Sequence, residues 1–159
     1  MTPVCRSERP TSSEERCPSC GVEGVRVEPI TLKALLTSEA FRRGVPASPH
    51  YCANARCDVV YFDQRASVVF RESEVTVPVH AKHPENEQLP VCYCFGHTLA
   101  SIREEMMRTG SSTATKVITA EVRVGRCACE VRNPKGSCCL GEIAKAEHDV
   151  VSELAVIKT

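Results

Sequence analysis

The chain has 159 residues, with 20 Lys+Arg balanced by 20 Asp+Glu, 4% aromatics and no tryptophan. That length suggests one medium domain or two small ones, and the even charge lacks the clustered basic footprint of a nucleic-acid binder. No apolar run approaches the roughly 20 residues of a bilayer span, and Met1-Thr2-Pro3-Val4-Cys5-Arg6 lacks a signal peptide's apolar stretch, so a soluble cytoplasmic protein without membrane insertion is expected. Residues 1–16, rich in Ser, Pro and charge, read as a disordered lead-in. Val25-Arg26-Val27 alternates like a short strand, and Thr31 to Arg43 predicts one helix carrying Leu32, Leu35, Leu36 and Phe41 that stops at Gly44. Val59-Val60-Tyr61-Phe62 and Val68-Val69-Phe70, separated by Asp63 to Ser67, predict a hairpin. The polar stretch from His80 to Pro90 reads as a solvated linker that includes His80 and His83. Thr98 caps a predicted helix with Leu99, Ile102, Met106 and Met107, ending at Gly110. A second starts at Ser112 or Thr113, carries Val117, Ile118 and Val122, and ends at Gly125. A third follows Cys139 with Ile143, Val150, Val151 and Leu154.

Cysteine is the compositional outlier, at 11 residues. An odd count without an export signal argues for metal rather than a disulfide framework. The scarcity of aromatics leaves a thin core, which metal binding reinforces because its free energy becomes folding free energy. Cys17-Pro18-Ser19-Cys20-Gly21 is a Cys-x-x-Cys-Gly knuckle, in which one tight turn aims two sulfurs at one ion and the glycine lets the backbone curl back. Cys52 and Cys57 form a second pair, and Cys-x2-Cys with Cys-x4-Cys supplies a closed tetrahedral site for structural Zn2+. Rubredoxin-like iron is the rival metal, and His50 reads as an ordinary loop histidine.

Cys92-Tyr93-Cys94 has a spacing suited to a cluster, with both sulfurs on one iron. Downstream, Cys127-Ala128-Cys129 and Cys138-Cys139 offer four candidates for the other two ligands, and the Asn133-Pro134-Lys135-Gly136 turn brings them together. Four thiolates holding a 2Fe–2S cluster is the expected centre. His80 and His83 read as solvated and Met106-Met107 as core packing. The sequence has no Gly-rich phosphate loop, Gly-x-Ser-x-Gly or His-Glu-x-x-His motif, so enzyme chemistry beyond a metal-ion reductase is not expected.

The order and spacing of both cysteine sets, with Val59-Val60-Tyr61-Phe62 after the second pair and Asn133-Pro134-Lys135-Gly136-Ser137-Cys138-Cys139 near the end, resemble the N-terminal region of archaeal-type CopZ copper chaperones. More distantly, the helical half resembles the 2Fe–2S domain of bacterioferritin-associated ferredoxins. The resemblance covers roughly residues 17 to 145. It implies an α+β protein in which a small β-rich zinc module (17–79) and an 80–90 linker precede a mostly helical 2Fe–2S module (91–159). The implied zinc ligands are Cys17, Cys20, Cys52 and Cys57. The implied cluster ligands are Cys92, Cys94, Cys129 and Cys139, with Cys127, Cys138 and Cys5 left over. The implied activity is one-electron transfer linked to soft-metal handling, such as reduction of Cu(II) to Cu(I). It calls for an electron donor and, because no carrier domain follows here, a separate metal carrier or transporter, with at most transient Cu+ on this chain. The alternative expectation is a non-redox protein that sequesters metal on its spare thiols.

Overall fold

The computed structural model describes residues 13–158. Most of the expected lead-in, including Cys5, lies outside these residues. Its last four positions are held in place: Ser13–Glu15 form a 3-10 turn, and Gln64 Nε2 donates to the carbonyls of Ser13 and Arg16.

Four strands, β1 (Val25–Arg26), β2 (His50–Tyr51), β3 (Val59–Asp63) and β4 (Val68–Arg71), form an antiparallel sheet in that order. Tyr51 pairs with Tyr61, and Tyr61 with Phe70. Every residue of β3 is buried. An irregularity between Val59 and Tyr61 breaks simple alternation. Val59 and Phe62 therefore pack around Cys17, Cys52 and Cys57, while Val60 and Tyr61 join Leu32, Leu35, Phe70 and Val79 in the first core. The β3–β4 turn is closed by Asp63, whose Oδ1 accepts from Arg65 N at 3.0 Å and Ala66 N at 3.2 Å.

The helix expected over 31–43 is two helices, α1 (Pro29–Leu35) and α2 (Ser38–Arg42). Proline at the first position of α1 costs no hydrogen bond there. The break comes from tertiary pairing: Leu36 bridges Val75, and Thr37 N donates to Glu74 O at 2.9 Å. The Thr37 hydroxyl then caps α2 by accepting from Ala40 N.

The start of the 80–90 segment is packed rather than solvated, while 84–86 are exposed. His80–Lys82 form a 3-10 turn whose Ala81 packs on the first core. Lys82 is buried, with Nζ donating to Asn54 O at 2.9 Å. A lysine stem lies comfortably in an apolar wall once its ammonium has an acceptor.

Helices α3 (Leu99–Thr109), α4 (Ala114–Arg123), α5 (Cys129–Arg132) and α6 (Leu140–Ile157) make up the second half. Thr98 and Ser101 form a capping box on α3, which ends at Gly110 in the left-handed region, φ 87°. Ile102, Met106, Ile118, Ile143 and Val150 form the second core with Cys92 and Cys139. Met107, by contrast, is 70% exposed, so only one methionine of the pair packs. Glu147 of α6 accepts from Thr115 N at 3.0 Å and from the Ser112 hydroxyl at 2.8 Å, capping α4 from a neighbouring helix.

The two halves meet along a hydrogen-bonded seam. Thr31 Oγ1 on α1 donates to Glu130 O on α5 at 2.6 Å, and Tyr61 OH donates to Pro134 O at 2.5 Å. Gly136, at φ 70°, fits only because it lacks a side chain: a Cβ there would lie 2.8 Å from Thr31 Oγ1 and 2.9 Å from Val27 Cγ1. The architecture is α+β. Among the described residues, no helix is long and apolar enough to cross a membrane.

Candidate metal centres

Cys17 and Cys20 sit on a tight loop closed by Gly21 N donating to Cys17 O at 2.8 Å and Cys17 N to Val22 O at 2.9 Å, with Gly21 at φ 74°. The second pair leaves the sheet at β2: Cys52 N donates to Val60 O, and Cys57 N donates back to Asn54 O. The four sulfurs lie within 4.8 Å of one another. Cys17 and Cys57 Sγ are 3.9 Å apart, and Cys20 and Cys52 Sγ 3.7 Å. Four sulfurs at about 2.3 Å from a tetrahedral ion are separated by about 3.8 Å, so the cage has the dimensions of a zinc tetrathiolate. It leaves no open coordination position, which suits a structural ion.

The thiols are electrostatically unequal. Burial raises the Cys17 thiol and pushes Cys52 up to about 12. Burial also acts to raise Cys20, but hydrogen bonds from the Asn54 side chain, the Val22 backbone and the Cys52 and Cys17 thiols outweigh it and bring Cys20 down to about 6. Cys20 thus becomes a thiolate before Cys17 and Cys52. His50 is a strand residue stacked on Phe62, with ring centroids 5.5 Å apart, and takes no part in the cage.

The second set is arranged differently. Cys94 Sγ lies 3.7 Å from Cys129 Sγ, and Cys92 shares a side-chain hydrogen bond with Cys139. The close approach of Cys94 to Cys129 and the hydrogen bond of Cys92 with Cys139 each join the 92–94 loop to the later segment, whereas the Cys-x-Cys spacing suggests both loop thiols on one iron. Among the described residues, only the first set gathers three or more ligand atoms within 4.8 Å, so the second is two pairs rather than one cage. The hydrogen bond from Cys139, with backbone N–H groups of Phe95 and Cys94, brings Cys92 down to about 6 against the effect of burial. That same bond and burial raise Cys139, and burial pushes Cys129 up to about 12. Ala128 N donates to Cys94 Sγ at 3.2 Å, and Cys139 is the N-cap of α6. Cys138 is exposed and Cys127 partly so.

Residues 14–76 match the CopZ family described as "Zinc binding domain". The copper chaperone CopZ of Archaeoglobus fulgidus is 36% identical over 124 residues, 78% of this chain and 57% of that protein. The X-ray structure of the Archaeoglobus fulgidus CopZ N-terminal domain matches with a TM-score of 0.67 and 32% identity, over 82% of this chain and 95% of that one. The chain belongs to the family of CopZ N-terminal domains. It spans just over half the length of its curated CopZ relative. The CopZ zinc-binding match encloses Cys17, Cys20, Cys52 and Cys57, and the chain carries a four-cysteine zinc-binding site within a CopZ-type metal-binding domain.

Two residues of this CopZ-type cage escaped the sequence reading. Asn54 bonds Cys20 through its side chain, and Lys82 binds the carbonyl of that same asparagine. An asparagine inside the Cys-x4-Cys loop is a readable signal, because such residues favour turn hydrogen bonds. Lys82 gave none, since its role depends on a contact made far along the chain.

Proposed function

We propose that this chain is a one-electron carrier serving copper handling, with structural Zn2+ on Cys17, Cys20, Cys52 and Cys57 and a 2Fe–2S cluster on Cys92, Cys94, Cys129 and Cys139. The supporting observation is the division of the second set into two sulfur pairs, since a two-iron cluster needs two thiolates at each iron. The donor chemistry fits as well: N–H groups of Ala128 and Phe95 point at Cys94 and Cys92, and such bonds to sulfur tune a cluster's potential. Cys92, Cys129 and Cys139 are buried, while Cys94 is only partly covered and gives the centre an edge for electron exchange. When bound, a 2Fe–2S cluster would supply one-electron chemistry at these four thiols, by which Cu(II) would be reduced to Cu(I) at the expense of a donor protein, for a separate carrier or transporter. The copper assignment leans on the CopZ relative, whose name is copper chaperone.

The test is the visible spectrum of anaerobically purified protein before and after dithionite, with metal analysis of the same sample. Red-brown bands that bleach on reduction, with iron and zinc at about two to one, are expected. A colourless zinc-only protein after iron–sulfur reconstitution would sink the reading. The exposure of Cys138 favours one alternative, sequestration of Cu(I) on spare thiols. Cys127→Ser with Cys138→Ser abolishes Cu(I) uptake under that alternative and leaves cluster redox intact under the first reading.

A further inference from the structure

A cavity of about 290 Å3 opens along the seam between the halves. Its wall includes Tyr51 from the sheet, His80 from the 80–82 turn, Tyr93 from the 92–94 loop, and Asn133, Lys135 and Glu142 from the last turn and α6. The cavity therefore flanks the second thiol set twice: Tyr93 lies between Cys92 and Cys94, and Glu142 sits in the first turn of the helix that Cys139 caps.

The His80 backbone is fixed by its N–H, which donates to Tyr93 OH at 3.1 Å, and that hydroxyl donates to Pro78 O at 2.7 Å. Its ring nitrogen Nε2 is buried without a hydrogen-bond partner. An unpaired buried polar atom costs on the order of 1–3 kcal/mol, and in native structures it commonly marks the place of a water or an ion. Burial lowers the His80 pKa against the opposing pull of Glu142, so the ring is neutral at neutral pH, the form that ligates metal. Glu142 is charge-paired with Lys135 and 46% exposed, so it can exchange a lysine for a divalent cation. Among the described residues the other buried ring nitrogen without a partner is His50 Nδ1, whose cavity is lined by neither the 92–94 loop nor α6.

The ligand groups the lining offers are the His80 imidazole nitrogen and the Glu142 carboxylate, since Tyr93 OH and Asn133 Oδ1 are already bonded, and the lining includes no cysteine. That donor set suits Cu(II), which heads the divalent affinity order, and suits Cu(I) poorly, since Cu(I) selects thiolate and thioether. We infer that the seam cavity is the entry site for Cu(II) as substrate, held by His80 Nε2 and a Glu142 carboxylate oxygen beside the 92–94 loop. The inference rests on the electron-transfer reading above and supplies its missing substrate site. Gain of one electron turns Cu(II) into Cu(I), for which these ligands are a poor match, so reduction itself releases the ion towards a thiol-bearing carrier.

The test uses the full metal-loaded chain carrying Cys5→Ser, Cys127→Ser and Cys138→Ser, which removes the thiols outside the two metal sets. One equivalent of Cu(II) is added with the cluster oxidised, and the sample is frozen for pulsed EPR. Coupling to one imidazole nitrogen is expected, absent in His80→Ala, with binding weakened more than about tenfold in Glu142→Gln. His80→Ala keeps the backbone bond to Tyr93, and unchanged zinc content and melting temperature verify its fold. Imidazole coupling that persists in His80→Ala, or binding that neither substitution changes, overturns the site; a water alone behind Nε2 gives that result. Reducing the cluster then separates the two ideas. If Cu(II) bound at His80 stays oxidised, the electron-transfer reading fails and the site stands. If reduction is equally fast in His80→Ala, the reading stands and the site fails.

Discussion

Replacing Tyr61 with Phe removes one oxygen from the seam and nothing from the core. Tyr61 has no exposed surface, and its hydroxyl donates to Pro134 O at 2.5 Å. Burial raises its phenol pKa, as expected of a group held as a neutral donor. The ring stays in place in the variant, so the measured cost isolates the hydrogen bond. Pro134 is itself buried, and its carbonyl is left without this donor, a loss of about 1–3 kcal/mol. Against a typical total of about 5–15 kcal/mol this is a large fraction. For a chain of this size it corresponds to a drop in melting temperature of roughly 2 to 12 °C. Pro134 belongs to the turn between Cys129 and Cys139, so the second thiol set should loosen first. The assay is calorimetric melting combined with timed chelator challenge. Metal at the second set should be lost sooner in the variant while zinc is retained at the parent rate. A melting temperature within about 1 °C of the parent, or zinc leaving first, would refute the seam argument.

Lys82→Met keeps the buried stem but removes the ammonium that binds Asn54 O and lowers the Cys52 thiol; zinc release to a chelator should quicken about tenfold, and Lys82→Arg should restore part of the loss. Gly136→Ala adds a Cβ against Thr31 and Val27 at a positive φ and should cost at least about 1–3 kcal/mol in chemical denaturation, where an ordinary surface glycine would be neutral. In metal-free protein, Cys20, lowered to about 6, is already thiolate at pH 7 while Cys17 and Cys52 are not. Mass spectrometry after iodoacetamide should find Cys20 modified first, with labelling falling as pH drops through about 6. The stabilisation this thiolate lends the metal-free fold is full above the ordinary thiol value of 9.0 and is lost as pH falls from there to about 6. Labelling of all three at one rate would contradict this ordering.

What the sequence made legible was local. Cys-x2-Cys and Cys-x4-Cys name the four thiols that the fold gathers within 4.8 Å because each pair is set by one short turn, and Thr98 and Gly110 mark α3 because a cap hydroxyl and a left-handed glycine act within a few residues. What stayed hidden was made by distant partners. The break at Leu36 depends on Val75 and Glu74, which a helical repeat of leucines does not encode. The 80–90 stretch is polar in composition, yet Lys82 is buried because a carbonyl 28 positions earlier receives its charge. The cross-segment pairing of Cys94 with Cys129 is likewise invisible to spacing rules, which see only Cys92 and Cys94 as neighbours.

The seam also bears on how the protein is made and cut. During synthesis the zinc half leaves the ribosome first, with the Tyr61 hydroxyl and the Thr31 face of α1 waiting for acceptors that lie at Glu130 and Pro134. A fragment ending before His80, the place where composition invites scissors, would keep those donors idle and strip Lys82 from the loop that carries Cys52 and Cys57. Such a piece would bind zinc through the same four sulfurs on a less supported scaffold. The working boundary of each half therefore follows the contact surface between β3, α1 and the 130–136 turn, and a dissection that respects it has to keep both halves together.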